Sequence, residues 1–152
     1  MQNYEIDNLD KNILEALTEN ARIPYAELAK KLAVSAGTIH VRVEKMKNAG
    51  IIEGTKVSIN AKNLGYDVCC FVGINLKNAK DYPNTIKRLE EFEEVVEAYY
   101  TTGNYSIFIK LMTRSIDHLQ FVLINKIQTI EEIQSTETLI SLQNPINRDV
   151  LP

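Results

Sequence analysis

Side chains that could carry out catalysis or hold a metal ion are few and scattered in this sequence. The histidines, His40 and His118, have no serine, cysteine or second ligand at a spacing that builds a nucleophile–base pair or a metal site. Cys69 and Cys70 are adjacent, so in a strand they point to opposite faces, and we interpret them as buried apolar residues. No phosphate-binding or dinucleotide-binding glycine motif occurs. These observations argue against an enzyme and predict no cofactor and no metal.

One acidic run is the remaining candidate for acid–base chemistry. It contains Glu90, Glu91, Glu93, Glu94 and Glu97. Paired carboxylates can exchange protons with a substrate, but a solvated face near the end of a helix accounts for the run more simply. We expect His118 to lie on the surface as well.

Residues 27–52 indicate a different kind of chemistry, the recognition of DNA. They are typical of a short helix, a tight turn and a longer helix at residues 35–48, for which Ser35 is a suitable N-cap. Ile39, Val43 and Met46 repeat at helical spacing, and Gly50 suits the C-terminal stop. The opposite face carries a small residue, a hydroxyl, an imidazole and cations, which suits a DNA major groove. An ordinary amphipathic helix with a solvated face is the alternative.

The predicted DNA contacts divide by type. We expect base or groove contacts from Thr38, His40, Val41 and Arg42. Phosphate contacts are expected from Lys30, Lys31, Lys45 and Lys47, and Ser35 and Gly37 complete the set. The net charge is −3, yet residues 1–62 carry 9 Lys and Arg against 8 Asp and Glu, a net of +1, whereas the remainder carries 8 against 12. A locally basic surface can bind phosphates through counterion release even in an acidic chain.

The elements around this helix predict a winged helix-turn-helix. A first helix, capped by Asp7 or Asn8, has an apolar face made by Leu9, Ile13, Ala16 and Leu17. Pro24 opens a second helix at about residues 24–32. Two extended pieces at residues 51–53 and 56–59 predict a small β-wing, with Lys56 able to touch a phosphate. Residues 1–60 therefore form the predicted DNA-binding domain, and residues 61–66 the linker.

Residues 67–152 predict a second domain of α+β class. Strands at residues 68–77, 95–102, 105–113 and 134–143 alternate with helices at residues 81–91 and 115–127. The order β-α-β-β-α-β is that of a ferredoxin-like domain. No apolar run is long enough to cross a membrane and the N-terminus lacks a signal pattern, so we expect a cytoplasmic protein without a membrane partner.

A winged helix-turn-helix followed by such a domain, with Thr-Thr-Gly between its second and third strands, resembles the Lrp/AsnC family of amino-acid-binding transcription regulators. The similarity covers essentially the whole chain. Its most specific segments are residues 26–29, 35–40, 42–46, 49–52, 64–66 and 100–105. Residues 98–103, 105–110 and 133–140 are similar to the asparagine-responsive branch of the family, which regulates an asparagine synthetase gene.

The resemblance implies properties that the residue patterns do not show. The sheets of the second domain would pair into a homodimer, dimers would assemble into larger rings, commonly octamers, and the effector would bind where dimers meet. Carried over by position, the effector-binding residues are Tyr100, Thr101, Thr102, Gly103, Asn104, Tyr105, Ser106, Asn125, Gln128, Thr136, Glu137 and Thr138.

The residues of the 101–106 loop suit an amino-acid ligand physically. Gly103 can take a positive φ and so expose backbone N–H groups to an α-carboxylate, and a backbone carbonyl or Glu137 could accept from the ammonium. Asn104, Ser106 and Gln128 are polar and uncharged, which favours a neutral amide ligand, L-asparagine or next glutamine, over lysine or leucine. A plain hairpin turn is the alternative interpretation of this loop.

The sequence therefore predicts a sequence-specific DNA-binding transcription regulator, modulated by an amino acid, L-asparagine, and controlling asparagine synthesis genes. Its expected partners are double-stranded DNA, the amino acid and further copies of the chain. One alternative is an architectural, nucleoid-type DNA-binding protein that ignores amino acids. The other is an enzyme that acts on an amino acid, with Ser106 or a glutamate as catalyst.

Overall fold

The structure, a computed structural model, describes residues 4–150 of the chain. Its contacts divide this part of the chain into two compact units, one of residues 4–58 together with 146–150, and one of residues 59–145. The residues after 145, assigned from the sequence to the second domain, thus group with the first unit.

Three helices form the first unit: α1 (Asn8–Glu19), α2 (Tyr25–Lys31) and α3 (Ala36–Asn48). Asp7 caps α1, because its Oδ1 accepts from the backbone N–H of Asp10 at 2.9 Å while Asp10 Oδ2 accepts from the N–H of Asp7 at 3.2 Å. This capping box satisfies two amides that the first turn leaves free. The apolar faces of the three helices meet in a core that contains Ile13, Leu28, Ala29, Ile39, Val43 and Met46.

Both ends of α3 are fixed by the residues that the sequence indicated. Ser35 Oγ accepts from the N–H of Thr38 at 3.0 Å, which confirms the N-cap. At the other end Gly50 has a φ of +73° and donates to Lys47 O, and the N–H of Ile51 donates to Met46 O at 2.9 Å. These bonds pair carbonyls that the last turn leaves free. The direction of α3 is therefore set by local geometry.

The turn between α2 and α3 contains a strained residue. Ala33 has a φ of +56°, a conformation that costs an L-residue about 1 kcal/mol. The hydrogen bond from the N–H of Val34 to Ala29 O, at 3.0 Å, closes the turn, and both side chains join the core of the first unit. Backbone bonding and packing together hold Ala33 in this conformation and thereby fix how α2 leads into α3.

The predicted wing strands do not form: residues 51–59 contain no strand in the structure. The side chains of Val57 and Ile59 are 79% and 65% exposed. An isolated two-stranded hairpin is marginal in water unless its apolar face packs on another element. The two extended pieces that predicted the wing therefore lack, in a single chain, a surface that would stabilise them as a hairpin.

The second unit has the predicted β-α-β-β-α-β order. Its elements are β1 (Val68–Leu76), α4 (Tyr82–Glu90), β2 (Val95–Tyr100), β3 (Ile107–Thr113), α5 (Ile116–Asn125) and β4 (Ile133–Ile140). The strands form one antiparallel sheet in the order β2-β3-β1-β4. In the centre Val72 lies opposite Ile109 on one side and Thr138 on the other. The ferredoxin-like prediction is confirmed.

The two faces of the sheet differ in character. One face packs against α4 and α5 in a core that includes Cys70, Val72, Ile74, Ile107, Ile109, Leu111, Leu89, Leu119 and Val122. The other face carries Phe71 and Phe108, whose ring centroids are 5.8 Å apart, and the half-exposed side chains of Tyr99 and Leu139. An apolar patch of this kind on a sheet face is typical of a surface that another protein covers.

Candidate nucleic-acid interface and ligand loop

The outward face of α3 is the candidate nucleic-acid interface. His40 and Lys45 are exposed, and the side chain of Val41 is 51% exposed, which is unusual for an apolar residue in the middle of a capped helix. The ring of His40 lies 6.1 Å from that of Tyr25 on α2. The Thr38 hydroxyl is 2.9 Å from Ser35 Oγ. The structure thus presents an imidazole, an isopropyl group and an ammonium on one helix surface, as the sequence predicts.

The lysines predicted to contact phosphates fall into two pairs. Lys31 forms an ion pair with Glu27 at 3.2 Å, and Lys47 forms one with Glu44 at 2.9 Å. Lys30 and Lys45 have no ion-pair partner among residues 4–150. Because exposed pairs contribute only about 0–1 kcal/mol, a phosphate can replace either carboxylate, and all four ammonium groups can bind DNA.

Arg42 has a position that the sequence did not predict. Its Nη1 lies 2.6 Å from Asp7 Oδ2 and 3.2 Å from Asp10 Oδ2, so the guanidinium joins α3 to the start of α1. Asp10 is fully buried and also accepts from the hydroxyl of Tyr4 at 3.0 Å. The Asp10 backbone N–H and Arg42 hold the pKa of Asp7 below its usual value, and Asp7 raises that of Arg42. The structure thus gives Arg42 two carboxylate partners that the sequence did not predict, and its groove contact stays a prediction.

The loop of residues 101–106, between β2 and β3, is closed by its own hydrogen bonds. The N–H of Thr101 donates to Ser106 O at 3.1 Å, and its hydroxyl donates to Tyr105 O at 2.8 Å. Ser106 is tied to β1, since its N–H donates to Ile74 O and its Oγ accepts from the N–H of Leu76. Gly103 has a φ of +100°, which confirms the positive φ expected from the sequence. The hydroxyl of Thr101 is therefore engaged within the loop.

Tyr105 and Glu137 are brought together across the outer face of the sheet. The Tyr105 hydroxyl donates to Glu137 Oε2, and this bond raises the pKa of the phenol. The Tyr105 ring lies flat against Gly73 of β1, where a Cβ would come within 2.6 Å of the ring. On the same face the ring centroid of Phe108 lies 6.0 Å from that of Tyr105. The loop is thus attached to the sheet through an aromatic side chain that only a glycine beneath it accommodates.

The other predicted effector residues lie elsewhere. Gln128 and Thr138 line an open groove of about 460 Å³ between α5 and β4, together with Ile116, Leu119, Gln120, Leu123, Ile124 and Ile140. Asn125 donates to the carbonyl of Phe121 in its own helix. Thr102 and Asn104 are exposed on the loop, and Thr136 is half-buried in β4. No residue of the 101–106 loop lines the groove, so one chain presents two separate groups of predicted ligand residues.

The acidic run is the solvated face that the sequence suggested at Glu90, Glu91 and Glu93, which are exposed, but not at Glu94. Glu94 is 3% exposed; Lys126 donates to its two oxygens at 2.7 and 2.8 Å, and His118 Nε2 lies 3.2 Å from Oε1. His118 Nδ1 accepts from the N–H of Arg114 at 3.3 Å, so Nε2 carries the proton that faces Glu94. Burial raises the pKa of Glu94, but the bonds from Lys126 and His118 outweigh it and leave this pKa below its usual value. His118 is correspondingly half-buried.

Residues 4–150 contain no group of three or more histidine, cysteine or acidic side chains able to hold a metal ion. Within the same residues, every helix is too short or too polar to span a bilayer.

Comparison with known proteins agrees with the two units. A family described as the Lrp/AsnC ligand binding domain matches residues 69–151, and one described as a winged helix-turn-helix DNA-binding domain matches residues 6–53. The chain is 70% identical to Regulatory protein AsnC of Escherichia coli K12 over the full length of both, and 67% identical to its Haemophilus influenzae counterpart over 98% and 99% of the two chains.

Solved structures show the same fold. The structure of E. coli AsnC superposes with a TM-score of 0.94 at 69% identity and covers 98% of this chain and 100% of that chain. A transcriptional regulator from Neisseria meningitidis, crystallised as a complex with L-Met, superposes with a TM-score of 0.91 at 19% identity, covers 97% of each chain, and supports the fold. Family domains and full-length relatives agree: the chain belongs to the Lrp/AsnC family of DNA-binding transcription regulators modulated by amino acids, and it is not an enzyme.

Proposed function

We propose that this chain binds specific DNA sites through α3 and adjusts that binding to L-asparagine, controlling genes of asparagine synthesis. The outward face of α3 carries the proposal, because it exposes a valine, an imidazole and a lysine on a rigidly capped helix, and Val41 and Lys45 lie outside the core of the first unit. The 70% identity to Regulatory protein AsnC of E. coli over the whole length supports the choice of asparagine.

The proposed DNA contacts come from side chains of α2 and α3 that are accessible to solvent. Thr38, His40 and Val41 meet base edges, with Gly37 and Ser35 allowing the start of the helix to approach closely. The lysines of α2 and α3 meet phosphates: Lys30, Lys31, Lys45 and Lys47. Arg42 contributes by holding α3 against α1, because its guanidinium is already engaged by two carboxylates.

The proposed effector site requires more than one copy of the chain. The 101–106 loop offers backbone N–H groups near Gly103 and neutral side chains to an amino acid, whereas Gln128 and Thr138 lie in the separate groove. A ligand that uses both groups can do so between copies. The open sheet face with Phe71, Phe108 and Leu139 supports a homodimer formed face to face, and the groove supports assembly of dimers into a ring, an octamer in our proposal.

Asparagine can act only by favouring one arrangement of the assembly over another. A differential affinity of about 1.4 kcal/mol changes the ratio of two arrangements tenfold. A ligand bound between dimers changes the spacing of the α3 helices, and DNA binding depends on that spacing. Regulation therefore needs no conformational change inside α3.

The DNA proposal predicts distinct effects for two substitutions. Lys45→Ala should weaken binding similarly on all sequences and lower the salt slope by about 1, because one phosphate contact is lost. Val41→Ala should reduce preference for the operator over scrambled DNA while the salt slope stays the same. Fluorescence anisotropy at several salt concentrations measures both effects, with Lys80→Ala, an exposed lysine of the second unit, as the matched control. Equal affinity of the wild type for operator and scrambled DNA would favour the architectural alternative.

The effector proposal predicts that L-asparagine raises the melting temperature more than the other standard amino acids do. At about 100 times its dissociation constant a ligand adds about 2.7 kcal/mol of stability. Ser106→Asp should reduce this effect at least tenfold in apparent affinity, because it places a charge beside a neutral amide, whereas Ser58→Asp in the first unit should not. A thermal-shift screen tests this, and no response to millimolar asparagine would contradict the assignment. Turnover of asparagine would support the enzyme alternative instead.

A further inference from the structure

Glu94 contacts both ends of one helix through a single carboxylate. His118 lies in the first turn of α5 and Lys126 is its C-cap residue, eight positions later, yet both side chains reach the same carboxylate. Glu94 itself precedes β2, and its carbonyl accepts from the N–H of Met112 in β3. The carboxylate is therefore anchored to the sheet while it holds α5 at two points, which restrains both sliding and rotation of the helix.

Lys126 also defines the corner that follows α5. Its N–H ends the helix by donating to Val122 O at 3.0 Å, and its carbonyl accepts from the hydroxyl of Thr129 at 2.7 Å. A 3₁₀ turn, Ile127–Thr129, begins at once, with Ile127 fully buried. Asn125 lies just before this corner and Gln128 two residues after Lys126, so both side chains depend on where the Lys126 backbone is held.

The need for a charge at this position is not explained by stability. Burying an ion pair costs desolvation that its attraction roughly cancels, and apolar replacements are often as stable. What a charged pair adds is a strong tether, because Lys126 donates charge-assisted bonds to both carboxylate oxygens and these bonds keep the corner close to Glu94. Glu93, the exposed neighbour, has no such partner among the described residues.

We infer that Glu94 is a positioning residue for the amino-acid site: through Lys126 and His118 it fixes α5 and the corner that presents Asn125 and Gln128 to the ligand. This inference rests on the proposed function. Glu94 does not touch the ligand, so its removal leaves the ligand contacts present but poorly placed. If the corner then holds the binding geometry in about one molecule in ten, the apparent affinity falls about tenfold.

Calorimetric titration with L-asparagine tests the inference in the full-length wild type and five variants: Glu94→Gln, Lys126→Met, the double variant of these two, Lys126→Arg and Glu93→Gln. Glu94→Gln and Lys126→Met should each raise the dissociation constant about tenfold or more, and the double variant should be no worse than either single one. Lys126→Arg, which can still pair with Glu94, and Glu93→Gln should resemble the wild type. Operator affinity without asparagine should stay unchanged in all five, which a general loss of structure would not allow.

Hydrogen exchange gives the second readout. In Glu94→Gln the amides of Lys126 and Ile130, which donate to Val122 and Ile127 carbonyls, should exchange about tenfold faster while amides of β1 stay protected. Unchanged exchange at this corner, or unchanged asparagine affinity in Glu94→Gln and Lys126→Met, would overturn the inference and leave the proposed function standing. Failure of the wild type to bind asparagine would overturn the proposed function itself and the inference with it.

Discussion

Asp10→Ala is expected to destabilise the first unit by about 3 kcal/mol, a loss at the low end of the range for breaking a buried ion pair. The carboxylate of Asp10 is fully buried and accepts from the N–H of Asp7, the hydroxyl of Tyr4 and the guanidinium of Arg42. Its removal leaves all three of these donors with fewer partners and opens the capping box. We place the loss at the low end because Arg42 keeps its ion pair with Asp7, and because its side chain is 31% exposed and so remains partly solvated.

The measurement must report on the first unit alone, because two units need not unfold together. Native-state hydrogen exchange of the core amides of α1 and α3 provides this, and specific DNA binding should fall in parallel. Glu15→Ala, which removes an exposed carboxylate from the same helix, is the matched control and should change exchange little. Slow exchange in Asp10→Ala, equal to that of the wild type, would contradict a structural role for this network.

The same network changes what is expected of Arg42. From the sequence alone, Arg42→Ala should weaken DNA binding and leave amino-acid binding intact. With its guanidinium held by Asp7 and Asp10, the substitution should instead lower the stability of the first unit and DNA affinity together. Loss of DNA affinity without faster exchange in α1 would restore the groove contact as the main role of Arg42.

The parts of the fold that sequence predicted are those encoded by neighbours in the chain. The apolar spacing of Ile39, Val43 and Met46, the cap at Ser35 and the stop at Gly50 all act within one or two helical turns, and the structure contains each of them. The alternation of buried and partly exposed side chains in β3 likewise follows from the two-residue period of a strand. Helix α3 and strand β3 could therefore be predicted without any knowledge of distant contacts.

What sequence could not predict depends on residues far apart. Arg42 and Asp10 are separated by 32 positions, as are Glu94 and Lys126. Periodicity places each of these charges on a helix or near a strand but does not pair it with a partner. The sequence therefore predicts a DNA contact for Arg42 and a solvated position for Glu94. The prediction of wing strands was wrong for a related reason, because no surface within residues 4–150 covers the apolar side chains of Val57 and Ile59.

Gly73→Val is expected to destabilise the second unit by about 1 to 3 kcal/mol, the usual cost of overpacking, and to reduce asparagine affinity at least tenfold. In a central strand valine is normally preferred to glycine. Here a Cβ at Gly73 would come within 2.6 Å of the Tyr105 ring, so the ring must leave the sheet and its hydroxyl must leave Glu137. The 101–106 loop, which Tyr105 attaches to β1, then loses its position.

Removing the Tyr105 ring should change the effect of Gly73→Val on stability from destabilising to stabilising. In a Tyr105→Ala background the space above Gly73 is open, and Gly73→Val should then stabilise the sheet, by about 1 kcal/mol at most, through strand propensity alone. Urea unfolding monitored by exchange of β1 and β3 amides gives the four free energies of this cycle. A penalty of the same size with and without the Tyr105 ring would mean that the strand backbone, and not the ring, requires glycine at this position.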